Sequence, residues 1–221
     1  MFIQKAIRPV SSAIMDEIFE VIFGAELTSN GFQYIHRRKW VRSRVPEIRD
    51  LFAIQALKGA NFSPLWGFSL DYVPHQAGKK VLWHRTPKSA RFDLRYDLMD
   101  FGHPDDVDRR WVIPSLYGKQ EAERFARRVM KNALPQALEF FDQVTRIDDL
   151  PKVFEDLMKK PAIRFSFSNY VQQPLAYAFT LAKLKRYNEA EAILKRYVAE
   201  YGLSPDIASH LQRLLAKLRQ S

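Results

Sequence analysis

The sequence predicts an α+β protein: an antiparallel sheet with an N-terminal helix, followed by an α-helical C-terminal half. Between residues 31 and 97, apolar and polar residues alternate along short segments, which is typical of strands with one apolar face. Beyond residue 118, apolar residues recur every three or four positions, as in amphipathic helices. We therefore expect a sheet domain over residues 1–110 and a helical region over residues 111–221 that packs on it.

The first helix is expected to begin at Ser11 or Ser12, which are good N-cap residues, and to end at Asn30 and Gly31. Its apolar side consists of Ile14, Ile18, Val21, Ile22 and Ala25. The expected strands cover residues 32–36, 39–44, 51–58, 66–73, 81–86 and 90–98, with residues 59–64 as a loop. In the second half, helices are expected over residues 119–132, from Pro135 onward, after Asp148 or Asp149, and over residues 173–185, 188–200 and 205–218.

The chain is strongly basic, with a formal net charge of +10 over 221 residues. Such a charge favours anionic partners, nucleic acid or an acidic protein, although the excess of Lys and Arg is equally compatible with solvated surface charge. The chain has no Cys, which excludes disulfides, thiolate metal sites and a Cys nucleophile. It has neither a signal-peptide pattern nor an apolar run long enough for a membrane span, so we expect a cytoplasmic, bacterial protein that does not bind membranes.

The basic, aromatic hairpin at residues 34–44 is one candidate binding surface. Arg37 and Arg38 are expected to form its turn. Together with a second basic segment, it supplies the candidate nucleic-acid-binding residues Arg37, Arg38, Lys39, Trp40, Arg42, Arg44, Lys79, Lys80 and Arg85. Arg and Lys would bind phosphates, and exposed rings would stack on bases. Alternatively, Tyr34 and Trp40 belong to the core and the charges only protect an edge strand.

The polar face of the sheet is the other candidate. Strict alternation at residues 91–96 predicts that Phe92, Leu94 and Tyr96 are buried, opposite the polar residues. If strands 66–73 and 90–97 are neighbours, that face contains Ser69, Asp71, His84, Arg91, Asp93 and Arg95. Arg binds phosphate or carboxylate, and Asp orients Arg or binds a cation. The alternative is a solvated face whose cross-strand ion pairs have no function.

Catalytic signatures are absent from the sequence. It has no HExxH, GxSxG, P-loop or GxGxxG motif, and its five His show no metal-binding spacing, so we expect no metal site and no cofactor. A metal-dependent nuclease would use Asp71 and Asp93 with Lys80 as a helper. However, no Glu accompanies these residues, and Arg95 stands where that pattern has Lys.

The first half resembles the bacterial family catalogued as domain of unknown function 4304. The resemblance rests on the N-terminal helix, Gly31 and Phe32, the basic hairpin with Trp40, and the segments LFAIQALKG and WGFSLDYV. It covers about half the chain and implies an α+β fold without implying an activity. The long helical half departs from the shorter family pattern.

The segment LAYAFTLAKLKRYNEAEAILKRYV resembles part of a tetratricopeptide repeat. Its packing positions are Leu181, Ala182, Tyr187, Ala190 and Leu194. The resemblance implies a protein-binding surface, but only one unit is present where a stable array needs about three. An ordinary helical hairpin explains the same pattern.

These observations favour a non-enzymatic binding protein for an anionic partner, nucleic acid first. The alternatives are a protein–protein interaction module, for instance in a defence or toxin-neutralising assembly, and the metal-dependent nuclease. The sequence does not predict the oligomeric state.

Overall fold

A computed structural model of the chain describes residues 9–78, 80–83, 85–97, 111–116, 118–159 and 173–218. Within these ranges, the predicted α+β class is confirmed, with an N-terminal helix, an antiparallel sheet and a helical second half. The helices are α1 (Ser12–Ser29), α2 (Lys119–Asp142), α3 (Leu150–Met158), α4 (Gln173–Lys183), α5 (Tyr187–Glu200) and α6 (Pro205–Lys217). The strands are β1 (Gln33–His36), β2 (Lys39–Val45), β3 (Ile48–Leu57), β4 (Asn61–Leu70), β5 (His75–Ala77), β6 (Lys80–Leu82), β7 (Leu94–Asp97) and β8 (Ile113–Pro114).

The main sheet has the strand order β1-β2-β3-β4-β7, and β8 pairs with the beginning of β4. All of these pairs are antiparallel. The predicted neighbours, the strands around residues 66–73 and 90–97, do pair, with Trp66 opposite Tyr96 and Phe68 opposite Leu94. Strands β5 and β6 form a separate two-stranded hairpin. Because β8 lies beyond residue 110, the sheet includes residues from the half that we expected to be helical.

One aromatic side chain from each strand of the order β1-β2-β3-β4-β7 forms a row across the sheet. The register places Tyr34, Trp40, Phe52, Trp66 and Tyr96 opposite one another in succession. Neighbouring ring centroids are 5.3, 6.4, 6.2 and 5.3 Å apart. Trp40, Phe52 and Trp66 are fully buried. Such pairs add about 0.5–1.5 kcal/mol each to the stability gained from burial.

Helix α1 covers this row, and its ends lie where the sequence predicts. The hydroxyl of Ser11 caps the helix by accepting the N–H of Ile14 at 3.3 Å, and Asn30 is the C-cap. The ring of Phe23 lies 6.5 Å from Trp40 and 6.0 Å from Phe52. Val21, which we expected on the apolar side, is 68% exposed.

The helical half completes the same core. The ring of Phe140 on α2 lies 5.3 Å from that of Phe68 on β4. Residues 175–182 of α4 are all buried, and the hydroxyl of Thr180 lies 3.1 Å from that of Tyr72. Helices α4 and α5 form the predicted helical hairpin, with Lys185 at a φ of 63° in the turn. Since α4 is buried along nearly its whole length, its role in the described structure is that of a core helix.

Three further local expectations, besides that for Val21, are wrong. Residues 61–64 belong to β4, not to a loop, so the β3–β4 turn is tighter than expected. Pro135 lies inside α2 instead of starting a new helix. It is exposed, so water can satisfy the carbonyl group that lacks a helical donor.

Phe92 is the third. It is only partly buried and packs in a small second cluster with Val41, Leu51, Ala90 and Ile35, whereas Leu94 is fully buried in the main core. The alternation is interrupted because residue 93 forms a bend before β7 begins at Leu94.

Strand β7 leaves no room for a side chain at Gly67 of β4. A Cβ atom at this position would overlap the carbonyl oxygen of Leu94 and lie 2.9 Å from the Cα of Arg95. We expect Gly67→Ala to lower the free energy of unfolding by about 2–3 kcal/mol, because backbone atoms would have to move. Chemical denaturation measures this change.

Gly24→Ala is the matched control. A Cβ at Gly24 would meet the indole nitrogen of Trp40 at 3.8 Å, an ordinary contact, and Ala is favoured over Gly inside a helix by about 1 kcal/mol. This variant should be at least as stable as the parent. Equal stability of the two variants would contradict the close approach at Gly67.

Candidate anion-binding site

The turn between β1 and β2 determines on which side of the hairpin each basic residue lies. Arg37 and Arg38 both have positive φ, 48° and 61°, and connect the paired residues His36 and Lys39. This is the conformation that a two-residue hairpin turn requires, here adopted without Gly or Asn. Because successive side chains point to opposite faces, Lys39 lies on one face of β2, whereas Arg42 and Arg44 lie on the other, helix-covered face.

Arg38 lies on the helix-covered side. Its guanidinium group forms an ion pair with Asp16 of α1 and donates to the hydroxyl of Ser12 at 2.5 Å. It also lies over the ring of Phe62, 4.7 Å from the centroid. The side chain is 14% exposed, so the expectation of a solvated Arg38 is wrong.

Arg42 and Arg44 also bind groups of the chain itself, Arg42 largely buried and Arg44 near the surface. Both Nε atoms donate to the same carboxylate oxygen of Asp50, at 2.8 and 2.7 Å. Arg42 is 13% exposed and lies over the ring of Phe32, whereas Arg44 donates to the carbonyl oxygen of Phe141 at 2.7 Å. Burial raises the pKa of Asp50, and the hydrogen bonds and charges of both arginines oppose that increase. These arginines bind the sheet to α2, and Trp40, two residues before Arg42 on β2, is fully buried.

Asp50→Asn should lower the free energy of unfolding by about 3–5 kcal/mol, because it leaves two partly buried guanidinium groups without their carboxylate. Urea denaturation measures the loss. The control is Glu47→Gln, which removes a carboxylate 3.0 Å from Lys183 that is 41% exposed. It should cost less than about 1 kcal/mol. A similar effect of the two changes would show that Asp50 is not a structural centre.

The basic residues that do not form ion pairs with described carboxylates lie on the other side of the hairpin. The charges of Arg91 and Arg37 both act on Lys39, and Arg91 lies between Ala90 and Phe92 of the small second cluster. We call Arg37, Lys39 and Arg91 the basic cluster. The ammonium group of Lys39 donates to the carbonyl oxygen of Ala90 at 3.2 Å. Burial, then the positive charges of Arg91 and Arg37, lower the pKa of Lys39. In the part of the chain that the structure describes, no carboxylate lies within ion-pair distance of these three side chains.

The segment that carries Arg91 is held on the sheet by its neighbours. Ala90 and Phe92 pack against Val41 of β2, and the backbone N–H of Arg91 donates to the hydroxyl of Ser69 at 3.3 Å. Asp93 is buried, and its carboxylate accepts the backbone N–H of Leu70 at 2.7 Å. Burial lowers the pKa of Arg91, and the negative charge of Asp93 opposes that decrease. The basic cluster thus combines residues from the basic hairpin and from the polar sheet face, and packing and a hydrogen bond hold the backbone at Arg91 in place.

The polar sheet face itself is largely buried. Ser69 is 0%, Asp93 6% and Arg95 7% exposed, so the solvated alternative is wrong for these residues. Asp71 is held by both terminal nitrogens of Arg49. The sequence did not identify Arg49 as a partner, because its position opposite Ser69 follows only from the register of β3 and β4.

The remaining candidates lie elsewhere. Arg85 is exposed and donates to the carbonyl oxygen of Asp71 at 3.1 Å, and Lys80 belongs to the separate β5–β6 hairpin. Lys79 and His84 lie outside the described residues.

A second basic surface on α2 was missed by the sequence reasoning. Arg124, Arg127, Arg128 and Lys131 are all exposed, and their spacing places them on one side of the helix; we call them the basic stripe. Arg124 pairs with Glu121, and Arg128 lies over the ring of Phe125 at 4.6 Å. The sequence does contain the corresponding pattern, with positive charges at positions i, i+3, i+4 and i+7. The apolar periodicity that predicts the helix does not by itself mark its opposite side as a binding surface.

The described carboxylates give the nuclease hypothesis no metal site. Asp71 is engaged by Arg49 and Asp93 by a backbone N–H, and these residue ranges contain no group of three or more potential metal ligands. As for membranes, each described helix is too short or too polar to cross a lipid bilayer.

Comparison with protein-family models, curated proteins and solved structures gave no significant match. The resemblances given above therefore stay predictions.

Proposed function

We propose that the protein is a non-enzymatic binding protein for an anionic partner, nucleic acid first, and that the basic cluster contacts the partner's phosphates. The observation that supports this most strongly is the convergence of Arg37, Lys39 and Arg91 without an ion-pair partner among the described residues. Four of the sequence candidates leave the proposed surface, because Trp40 is fully buried and Arg38, Arg42 and Arg44 are paired with carboxylates of the chain.

The electrostatics of the cluster favour a bound anion. The positive charges of Arg91 and Arg37 lower the affinity of Lys39 for its proton, and a phosphate placed among the three cations would relieve this repulsion. Two of the three are arginines, whose forked donors match phosphate oxygens. Phosphate binding also releases counterions from a polyanion, which supplies much of the affinity for nucleic acid.

Nucleic acid is preferred over an acidic protein because of the overall charge. The net charge of +10 and the separate basic stripe on α2 favour a partner that carries many negative charges, as a phosphate backbone does. The buried position of Trp40 favours backbone contacts over base stacking at this site.

Binding of a fluorescently labelled duplex and of a labelled single strand, followed by anisotropy across a salt series, tests the proposal. The double change Arg37→Gln with Arg91→Gln should weaken binding by about tenfold or more at low salt and reduce the salt slope by about 1.5 to 2. The matched control is Arg127→Gln with Lys131→Gln, which removes the same charge from the basic stripe.

Each other outcome has a definite meaning. No binding by the parent at low salt contradicts the nucleic-acid partner and favours an acidic protein. A larger loss in the control than in the basic-cluster variant contradicts the proposed site and transfers it to α2. Thermal unfolding of both variants shows whether either change affects the fold.

Anion binding should also depend on pH through Lys39. Its pKa in the folded protein lies below the ordinary value of 10.5, and only the protonated amine attracts phosphate. Affinity is therefore expected to fall as the pH rises through the lowered pKa of Lys39. Lys39→Met should bind more weakly at neutral pH and lose this part of the pH dependence. An unchanged alkaline profile in Lys39→Met would exclude Lys39 from the site.

A further inference from the structure

We infer that the protein has a second binding site, for a small carboxylate with a planar apolar body, in a pocket separate from the basic cluster. The pocket has a volume of about 400 Å³ and lies between the segment after β6 and helices α4 and α6. Its lining includes Trp83 and Arg85 on one side and Phe179, Lys183 and Leu214 on the other. This volume is in the range of small-molecule sites, roughly 300–1,000 Å³.

Among the described charged groups that line the pocket, one cation has no carboxylate partner. Glu47 and Lys183 form an ion pair at 3.0 Å, and Asp71 is held by Arg49 from outside the pocket. Arg85 has no carboxylate partner in the described ranges; its Nε donates to a backbone carbonyl oxygen at 3.1 Å. One uncompensated guanidinium group selects a ligand with one negative charge.

Arg85 is also oriented for recognition. Its guanidinium carbon lies 4.0 Å from the ring centroid of Trp83. A guanidinium group that stacks on an indole points its in-plane donors away from the ring, and the two terminal nitrogens can bind a carboxylate in bidentate fashion while Nε donates to the carbonyl oxygen of Asp71. The stacking fixes the side chain before the ligand arrives, which reduces the entropy lost on binding.

The apolar part of the lining suits a flat ligand. Trp83 is 40% exposed, a large fraction for this side chain, and it faces a pocket whose other members include buried Phe179 and Tyr72 and partly buried Leu214. A planar ring inserted here would cover apolar surface on both sides while its carboxylate pairs with Arg85.

The two carboxylates in the lining argue against a polyanion in this pocket. Glu47 and Asp71 would repel a phosphate chain, whereas a single carboxylate needs only the one guanidinium group. The second site is therefore chemically distinct from the basic cluster, where no described carboxylate forms an ion pair.

The test uses 1-naphthoate as a probe and 1-naphthalenemethanol as its uncharged counterpart, with binding measured by calorimetry and by tryptophan fluorescence. The parent is expected to bind one naphthoate per chain. Arg85→Gln should weaken naphthoate binding by about tenfold and leave the affinity for the alcohol unchanged. Trp83→Leu should weaken both ligands. Both side chains are exposed, so we expect the variants to fold, and thermal unfolding checks this.

A control separates this site from the basic cluster. The double variant Arg37→Gln with Arg91→Gln should bind naphthoate as the parent does. Absence of saturable naphthoate binding by the parent would overturn the inference. So would unchanged binding by Arg85→Gln, or loss of naphthoate binding in the basic-cluster variant.

Discussion

The register of the β1–β2 hairpin determines what each basic residue of the sheet does. The two-residue turn at Arg37 and Arg38 fixes the register, and the alternation of side chains then sends Arg42 toward the helices and Lys39 away from them. A shift of one residue would exchange the two sets and expose Trp40. The aromatic row opposes such a shift, because each ring of the row is matched to a ring on the next strand. One strand thus carries Lys39 on one face and the two structural arginines, Arg42 and Arg44, on the other.

The two proposed sites use different physical arrangements of arginine. In the basic cluster, like charges are brought together by the packing of residues 90–92 on β2, and their repulsion favours an anion. In the pocket, opposite charges cancel in pairs and one stacked guanidinium group remains. The first arrangement suits a partner with many charges, the second a ligand with one. Asp50 provides the contrast, since its two arginines are paired with a carboxylate from the same chain.

Local periodicity predicted most of the strands and helices, since alternation and helical spacing are properties of short segments. It did not predict which side of β2 faces the helices, because Val41 on one side and Trp40 on the other are both buried and both have basic neighbours. The basic cluster depends on bringing residue 91 beside residues 37 and 39, which follows from strand order and from the packing of Ala90 and Phe92. The pocket depends on the docking of α4 and α6. Such long-range placements leave no periodic signal in the chain.

The lowered pKa of Lys39 has a chemical consequence. A lysine that releases its proton more readily has a larger fraction of neutral amine at neutral pH, and the neutral amine is the nucleophile. Lys39 should therefore react with acylating reagents faster per unit of exposed surface than the other lysines. A bound anion would restore its proton and slow the reaction. The rate of modification at this one side chain, read by mass spectrometry, would then report occupancy of the surface whatever the identity of the partner.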